Sequence, residues 1–215
     1  KVGVLDADLY GPSLPKLLGL EGKPAIRDEE IFEAHEAFGL KAISIGSMLE
    51  ENQAVVWRGP MASSALRQLL RETHWGELDV LIIDLPPGTG DIQISLCQQV
   101  ELAGAIIVST PQDLALIDAK KAMNMFRRLE IPILGLIENM SYFVAPDTGT
   151  RYDIFGHGGA KKAAEELEIP FLGEVPLHMS IRENSDAGTP VVASNPDGAE
   201  AKAFKAIVET LVAQY

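Results

Sequence analysis

Short apolar runs separated by longer amphipathic stretches make up most of this chain. The runs at 2–5, 42–46, 54–57, 79–84, 105–109, 133–138 and 171–175 are rich in Val, Ile and Leu. They are apolar on both faces, which predicts parallel strands covered by helices on each side. Between most of them, apolar positions recur at helical spacing. In "MASSALRQLLRETH", residues 61–74, Met61, Ala65, Leu66, Leu69 and Leu70 share one face. Residues 91–103, 113–129, 158–168 and 197–213 repeat the scheme, so helices are expected there too. The alternation predicts an α/β fold, a mostly parallel sheet with helices on both faces. Residues 19–41 break the rhythm. Their "RDEEIFEAHEAFG" is charged and short of apolar periodicity, and reads as a surface excursion or hairpin. No repeat, low-complexity tract or linker divides the chain, so a single domain over 1–215 is expected.

In open α/β sheets, ligands lie beyond the carboxyl ends of the strands. The polar residues at those ends are therefore the candidates. They are Asp6 and Asp8 in "VLDADLYGPS", Asp84 in "VLIIDLPPGTGD", Ser109-Thr110-Pro111, Asn139 in "LIENMS", and Pro176 in "LGEVPLHMS". All are expected along one sheet edge. Ionised carboxylates closing an apolar strand need a partner. Asp6 and Asp8 either cap a turn or face a cation. Asp84 ends a hydrophobic strand and precedes Pro86-Pro87-Gly88-Thr89-Gly90. That is the shape of a Walker B acid followed by a loop whose N–H groups can approach phosphate. Three hard carboxylates converging on one spot call for a divalent metal. A lysine-bearing phosphate loop is missing from these residues: the only Gly-Lys pair, Gly22-Lys23, runs into Pro24.

Charge narrows the partners. Thirty-one acids against 18 bases give a formal net charge of −13, and the bases cluster only as short groups such as Lys120-Lys121 and Arg127-Arg128. Such a surface disfavours nucleic acid and anionic membrane. No apolar run reaches the ~20 residues of a membrane span. The single cysteine, Cys97, excludes an internal disulfide and points to a reducing, cytoplasmic compartment. Its helical context makes it a buried small hydrophobe. Met123 and Met125 read as packing. His157 reads as a loop or cap residue, and Arg58 as a phosphate contact or an ion pair. The last helix, with Phe204, Ile207, Val208, Leu211 and Val212, is amphipathic without being basic, which favours core packing over membrane docking.

Several stretches, in order, carry a resemblance: "VLDADLYGPSLPKLLG", "VVWRGPMASSALRQLL", "WGELDVLIIDLPPGTGD", "VSTPQDLALIDAKKAMNMF", "GLIENMSYF", "YDIFGHGGAKKAAEEL" and "FLGEVPLHMSIRENSDAGTPVV". Over residues 1 to ~213 the chain resembles the Mrp/ApbC branch of the MinD-like P-loop ATPases, the iron–sulfur cluster carriers. The resemblance implies a P-loop NTPase (MinD-like) fold that begins here after its first strand, P-loop and first helix. It implies ATP and Mg2+ as ligands, a homodimer, and apo iron–sulfur proteins as clients. Removing a central strand would expose two sheet edges and an apolar face. By resemblance, Asp8 orients the attacking water, Asp6 is the switch I acid near Mg2+, and Asp84 is the Walker B acid. Gly88 is the switch II glycine sensing the γ-phosphate. Asn139 reads adenine, and the Val175–Leu177 segment, with Pro176, packs on the base. One departure stands out. Cluster-carrying members have a C-x-x-C after "SYF", and here Ala145 and Thr148 hold those positions, so an iron–sulfur cluster is doubtful in this chain. The alternatives are a cluster-free or non-catalytic adaptor, and a MinD/ParA-type positioning ATPase, which the acidic surface argues against.

Overall fold

A computed structural model describes residues 1–27, 31–48 and 59–214. The expected strand at 54–57 and Arg58 lie outside the described residues. The backbone groups into two compact units, Lys1–Val100 with Asn184–Pro190, and Glu101–Glu183 with Val191–Tyr215.

The first unit contains β1 (Val2–Asp6), α1 (Leu14–Leu17), β2 (Ile26–Arg27), β3 (Ile31–Glu33), β4 (His35–Ala37) and β5 (Leu40–Ser44). A 3-10 turn at Ile45–Met48 follows, then α2 (Gly59–Arg71), β6 (Thr73–His74), β7 (Val80–Asp84) and α3 (Asp91–Cys97). The main sheet has the order β4-β5-β1-β7. β1 lies parallel to both neighbours, with Asp6 paired in register with Ser44 and Asp84. That register brings two acidic strand ends side by side. Leu5, Ile43, Leu66, Leu69 and Leu96 form the core on one face, while Leu14, Leu18 and Ala42 seal the other. The irregular stretch resolves into short strands: β2 and β3 pair antiparallel, and β4 adds antiparallel to β5.

The second unit contains β8 (Ala105–Ser109), α4 (Asp113–Arg128), β9 (Ile133–Glu138), β10 (Phe143–Val144), β11 (Arg151–Tyr152), α5 (Gly159–Glu166) and β12 (Phe171–Glu174). α6 (Met179–Asp186), α7 (Val191–Ser194) and α8 (Ala199–Val212) follow, α6 ending in residues grouped with the first unit. Its parallel sheet has the order β12-β9-β8. Leu172, Val175 and Ile207 pack with Ile137, Phe204 and Leu211, so the last helix is a core helix. Met123, Met125 and Cys97 are buried, as their patterns predict. α6 was not expected, because "MSIRENSD" buries no side chain and carries little apolar signal. Among the described residues, no helix is long and apolar enough to cross a membrane.

Two edges are unusual. β7 leaves Val80 and Ile82 each 52% exposed, and β8 leaves Ile106 41% and Val108 58% exposed. Strands of this composition normally sit inside a parallel sheet.

Candidate functional site

In the first unit, the end of β1 is organised around Asp6, which is fully buried. Ser44 Oγ donates to its Oδ2 at 2.7 Å, as does the Leu14 N–H at 3.2 Å, while the Asp8 N–H donates to Oδ1 at 3.1 Å. Asp6 thus ties the end of β5 and the start of α1 to its own turn. Asp8 is half-buried, and its Oδ1 accepts from the Tyr10 and Gly11 N–H groups at 3.0 and 3.2 Å. Both aspartates therefore do the turn-capping their residue type favours. Asp84 differs. It lies on the exposed edge strand, and its carboxyl is pushed up by partial burial and then by the negative charges of Asp6 and Asp8. Three acids share one neighbourhood, and the accessible one carries the electrostatic cost.

The loop after Asp84 is held from beneath. Gln93, buried on α3, donates through Nε2 to the carbonyls of Pro86 and Pro87 at 3.1 and 2.8 Å. Gly88 sits at φ +100°, a conformation that side chains resist. Gly90 is the N-cap of α3, in extended geometry. The result is an exposed Pro87–Gly90 loop running into a helix start, an arrangement suited to an anion. Gln93 escaped the sequence reading because an amide inside a helical pattern carries no signal of its own.

In the second unit, Asn139 follows β9 and is half-buried. Its N–H donates to the Ser109 carbonyl at 2.7 Å, and its Oδ1 accepts from the Met140 N–H at 3.0 Å. Val175–Leu177 is stitched to the same turn. The Val175 N–H donates to the Glu138 carbonyl, Ser141 N–H to the Val175 carbonyl, and Leu177 N–H to the Tyr142 carbonyl, all at 2.8–3.0 Å. Asn139 and the Val175–Leu177 segment thus come together. Glu138 was missed, although an acid ending an apolar strand is the same signal that marked Asp84.

Among the described residues, the only trio of His, Cys, Asp or Glu ligand atoms within 4.8 Å of one another is Glu138, His157 and Glu174. The chain places a cation beside it. Arg151 donates to His157 Nδ1 at 2.8 Å and lies 4.3 Å over the Tyr142 ring. Its guanidinium is held charged by Asp153 first, with Glu174 contributing. His157 is thus a loop residue beside the α5 start, where Gly158 is the N-cap.

Ala145 and Thr148 lie at the hairpin of β10 and β11. The Ala145 N–H donates to the Thr150 carbonyl, and Thr148 Oγ1 accepts from the Thr150 N–H. Neither offers a thiolate. The one cysteine, Cys97, is buried in the first unit, and burial pushes its thiol up, away from thiolate.

Parallel strands ending in acids, with a glycine loop opening a helix, make an α/β protein with its polar groups gathered at the strand ends. The comparisons agree. The family described as NUBPL iron-transfer P-loop NTPase (ParA) matches residues 1–212, and the chain belongs to this family. It is 50% identical to the iron–sulfur cluster carrier protein of Deinococcus radiodurans, over all of this chain and 61% of that protein. It is 48% identical to the mouse iron–sulfur cluster transfer protein NUBPL, over 98% of this chain and 66% of that protein. The chain thus spans about three-fifths to two-thirds of these relatives. Among solved structures, it resembles a nucleotide-binding protein of Archaeoglobus fulgidus in complex with ADP, with cobalt found in it. The TM-score is 0.79 at 38% identity, covering 95% of this chain and 79% of that one. Pyrococcus furiosus MinD shares the fold, with TM-score 0.71 at 21% identity over all of this chain and 86% of that one.

Proposed function

We propose that these residues form the switch and base-reading parts of an ATP-binding, ATP-hydrolysing iron–sulfur cluster carrier or assembly factor. The observation that carries this reading is the acidic end of β1 and β7. There Asp84, raised by Asp6 and Asp8, adjoins a glycine loop opening a helix. Mg2+ would fit hard carboxylate donors at this spot, with Asp84 the accessible one. When bound, it would neutralise phosphate charge. Asp6 has three donors of its own and acts by fixing the turn on which Asp8 sits. Asp8 would orient water, the Gly88 N–H would sense the terminal phosphate, and Asn139 with Val175, Pro176 and Leu177 would hold the base. No lysine-bearing phosphate loop occurs in these 215 residues. Val80 and Ile82 on β7, and Ile106 and Val108 on β8, each leave an apolar face half-exposed in their own unit. The relatives' names as cluster carrier and transfer proteins support apo iron–sulfur proteins as clients, and the sequence resemblance adds a homodimer working in the cytoplasm.

In the full-length polypeptide, Asp8→Asn should retain ATP binding and lose hydrolysis by ~10²–10⁴-fold, as removal of a water-orienting group does. Wild-type turnover in that variant would sink the assignment.

A second reading, an ATP-driven adaptor that holds no cluster, is favoured by one observation: the hairpin offers Ala145 and Thr148 where thiolates would be needed. Anaerobic reconstitution with iron and sulfide should give no stoichiometric thiolate absorbance. A stable cluster surviving Cys97→Ser would remove this second reading.

A further inference from the structure

Glu138 is a fully buried acid with no part in the chemistry described above. A carboxylate taken out of water must be met by donors, and three meet it. Ser141 Oγ donates to Oε1 at 2.6 Å, the Gly158 N–H donates to Oε1 at 3.2 Å, and the Ala160 N–H donates to Oε2 at 2.7 Å. The donors belong to two pieces of chain. Ser141 is in the turn holding Asn139, and Gly158 and Ala160 are at the start of α5. That start has no capping side chain of its own, because its N-cap is Gly158.

The turn between Glu138 and Ser141 is under strain. Met140 sits at φ +53°, which a side-chain-bearing residue adopts only when its surroundings hold it there. The Ser141–Glu138 bond supplies that hold on one side, and Ser109 grips the Asn139 N–H on the other. Val175 then bonds both Glu138 and Ser141 through its backbone. The placement of Asn139 and of Val175–Leu177 therefore follows from how Glu138 is seated.

We infer that Glu138 is a positioning residue that sets base selectivity: by seating Ser141 and the start of α5, it fixes the turn that presents Asn139 and the Val175–Leu177 segment to an adenine. This rests on the reading of those residues as the base site. A purely structural cap would lower stability and leave base preference alone, so preference is the readout.

The test uses the full-length polypeptide, with ATP, GTP and inorganic tripolyphosphate as probes. Glu138→Gln places an amide N–H₂ against at least one of the three donors. Ser141→Ala removes only the hydroxyl and guards against a Glu138 variant that fails to fold. Wild type should prefer ATP over GTP. Glu138→Gln should cut that preference about tenfold, the cost of one lost buried hydrogen bond, and Ser141→Ala severalfold. Tripolyphosphate, which has no base, should bind both variants as it binds wild type. An unchanged ATP preference in both folded variants would overturn the role of Glu138. Equal loss of tripolyphosphate binding would also overturn it, by showing a general structural effect. Wild type without an adenine preference would overturn the base-site reading itself and this inference with it.

Discussion

Asp6 and Glu138 are the same device used in two settings. Each ends a parallel strand, is fully buried, and accepts from a serine hydroxyl and from the backbone at a helix start. Their surroundings differ in sign. Beside Asp6 the neighbouring charges are Asp8 and Asp84, and Asp84 is destabilised by both. Beside Glu138 lie Glu174 and His157, and Arg151, paired with Asp153, donates to that His157. One strand end gathers acids alone, and the other has a cation close by. Burying a carboxylate therefore says little about function until its neighbours are counted.

Truncating a hub should have the largest effect. Asp6→Ala leaves the Ser44 hydroxyl and two N–H groups without their acceptor, and should cost about 3 kcal/mol in urea unfolding. Asp6→Asn should cost clearly less, because it keeps an acceptor and relieves repulsion of Asp84. Equal costs for the two variants would break the contrast drawn above.

A smaller effect of opposite sign is expected at Asp84. Its folded carboxyl is raised, so the native state holds a proton where the unfolded chain does not. Stability from this group falls as pH rises from the ordinary carboxylate value through the raised one, and the penalty is complete above it. Asp84→Asn should therefore raise the midpoint of thermal unfolding at neutral pH, and the gain should vanish in acid. A gain independent of pH would mean that charge is not its cause.

The smallest effect is expected at Arg151, whose ion pair with Asp153 is solvent-exposed. Arg151→Gln should shift the thermal midpoint by no more than about 2 °C, and by less in high salt. A larger shift would mean that Glu138, His157 and Glu174 depend on this cation more than its exposure implies.

Much of the fold was legible because its strands and helices repeat one pattern. β1, β7, β8, β9 and β12 fall where runs of Val, Ile and Leu predict them, although the structure leaves one face of β7 and of β8 half-exposed instead of buried. Asp6, Asp8 and Asp84 stood out for the converse reason, as charges where an apolar run stops. The sequence by itself therefore determined the alternation of elements, the acidic strand ends, the glycine loop and the want of a second cysteine. Register was not legible. That Asp6 pairs with both Ser44 and Asp84 depends on β5 and β7 flanking β1, a matter of strand order that no local pattern encodes. Tertiary structure alone decided that Gln93 supports the loop and that Ser141 and the α5 start seat Glu138. Each of these partnerships joins residues by the geometry of a turn or a crossover, and a buried polar atom must find its donor there because water cannot reach it.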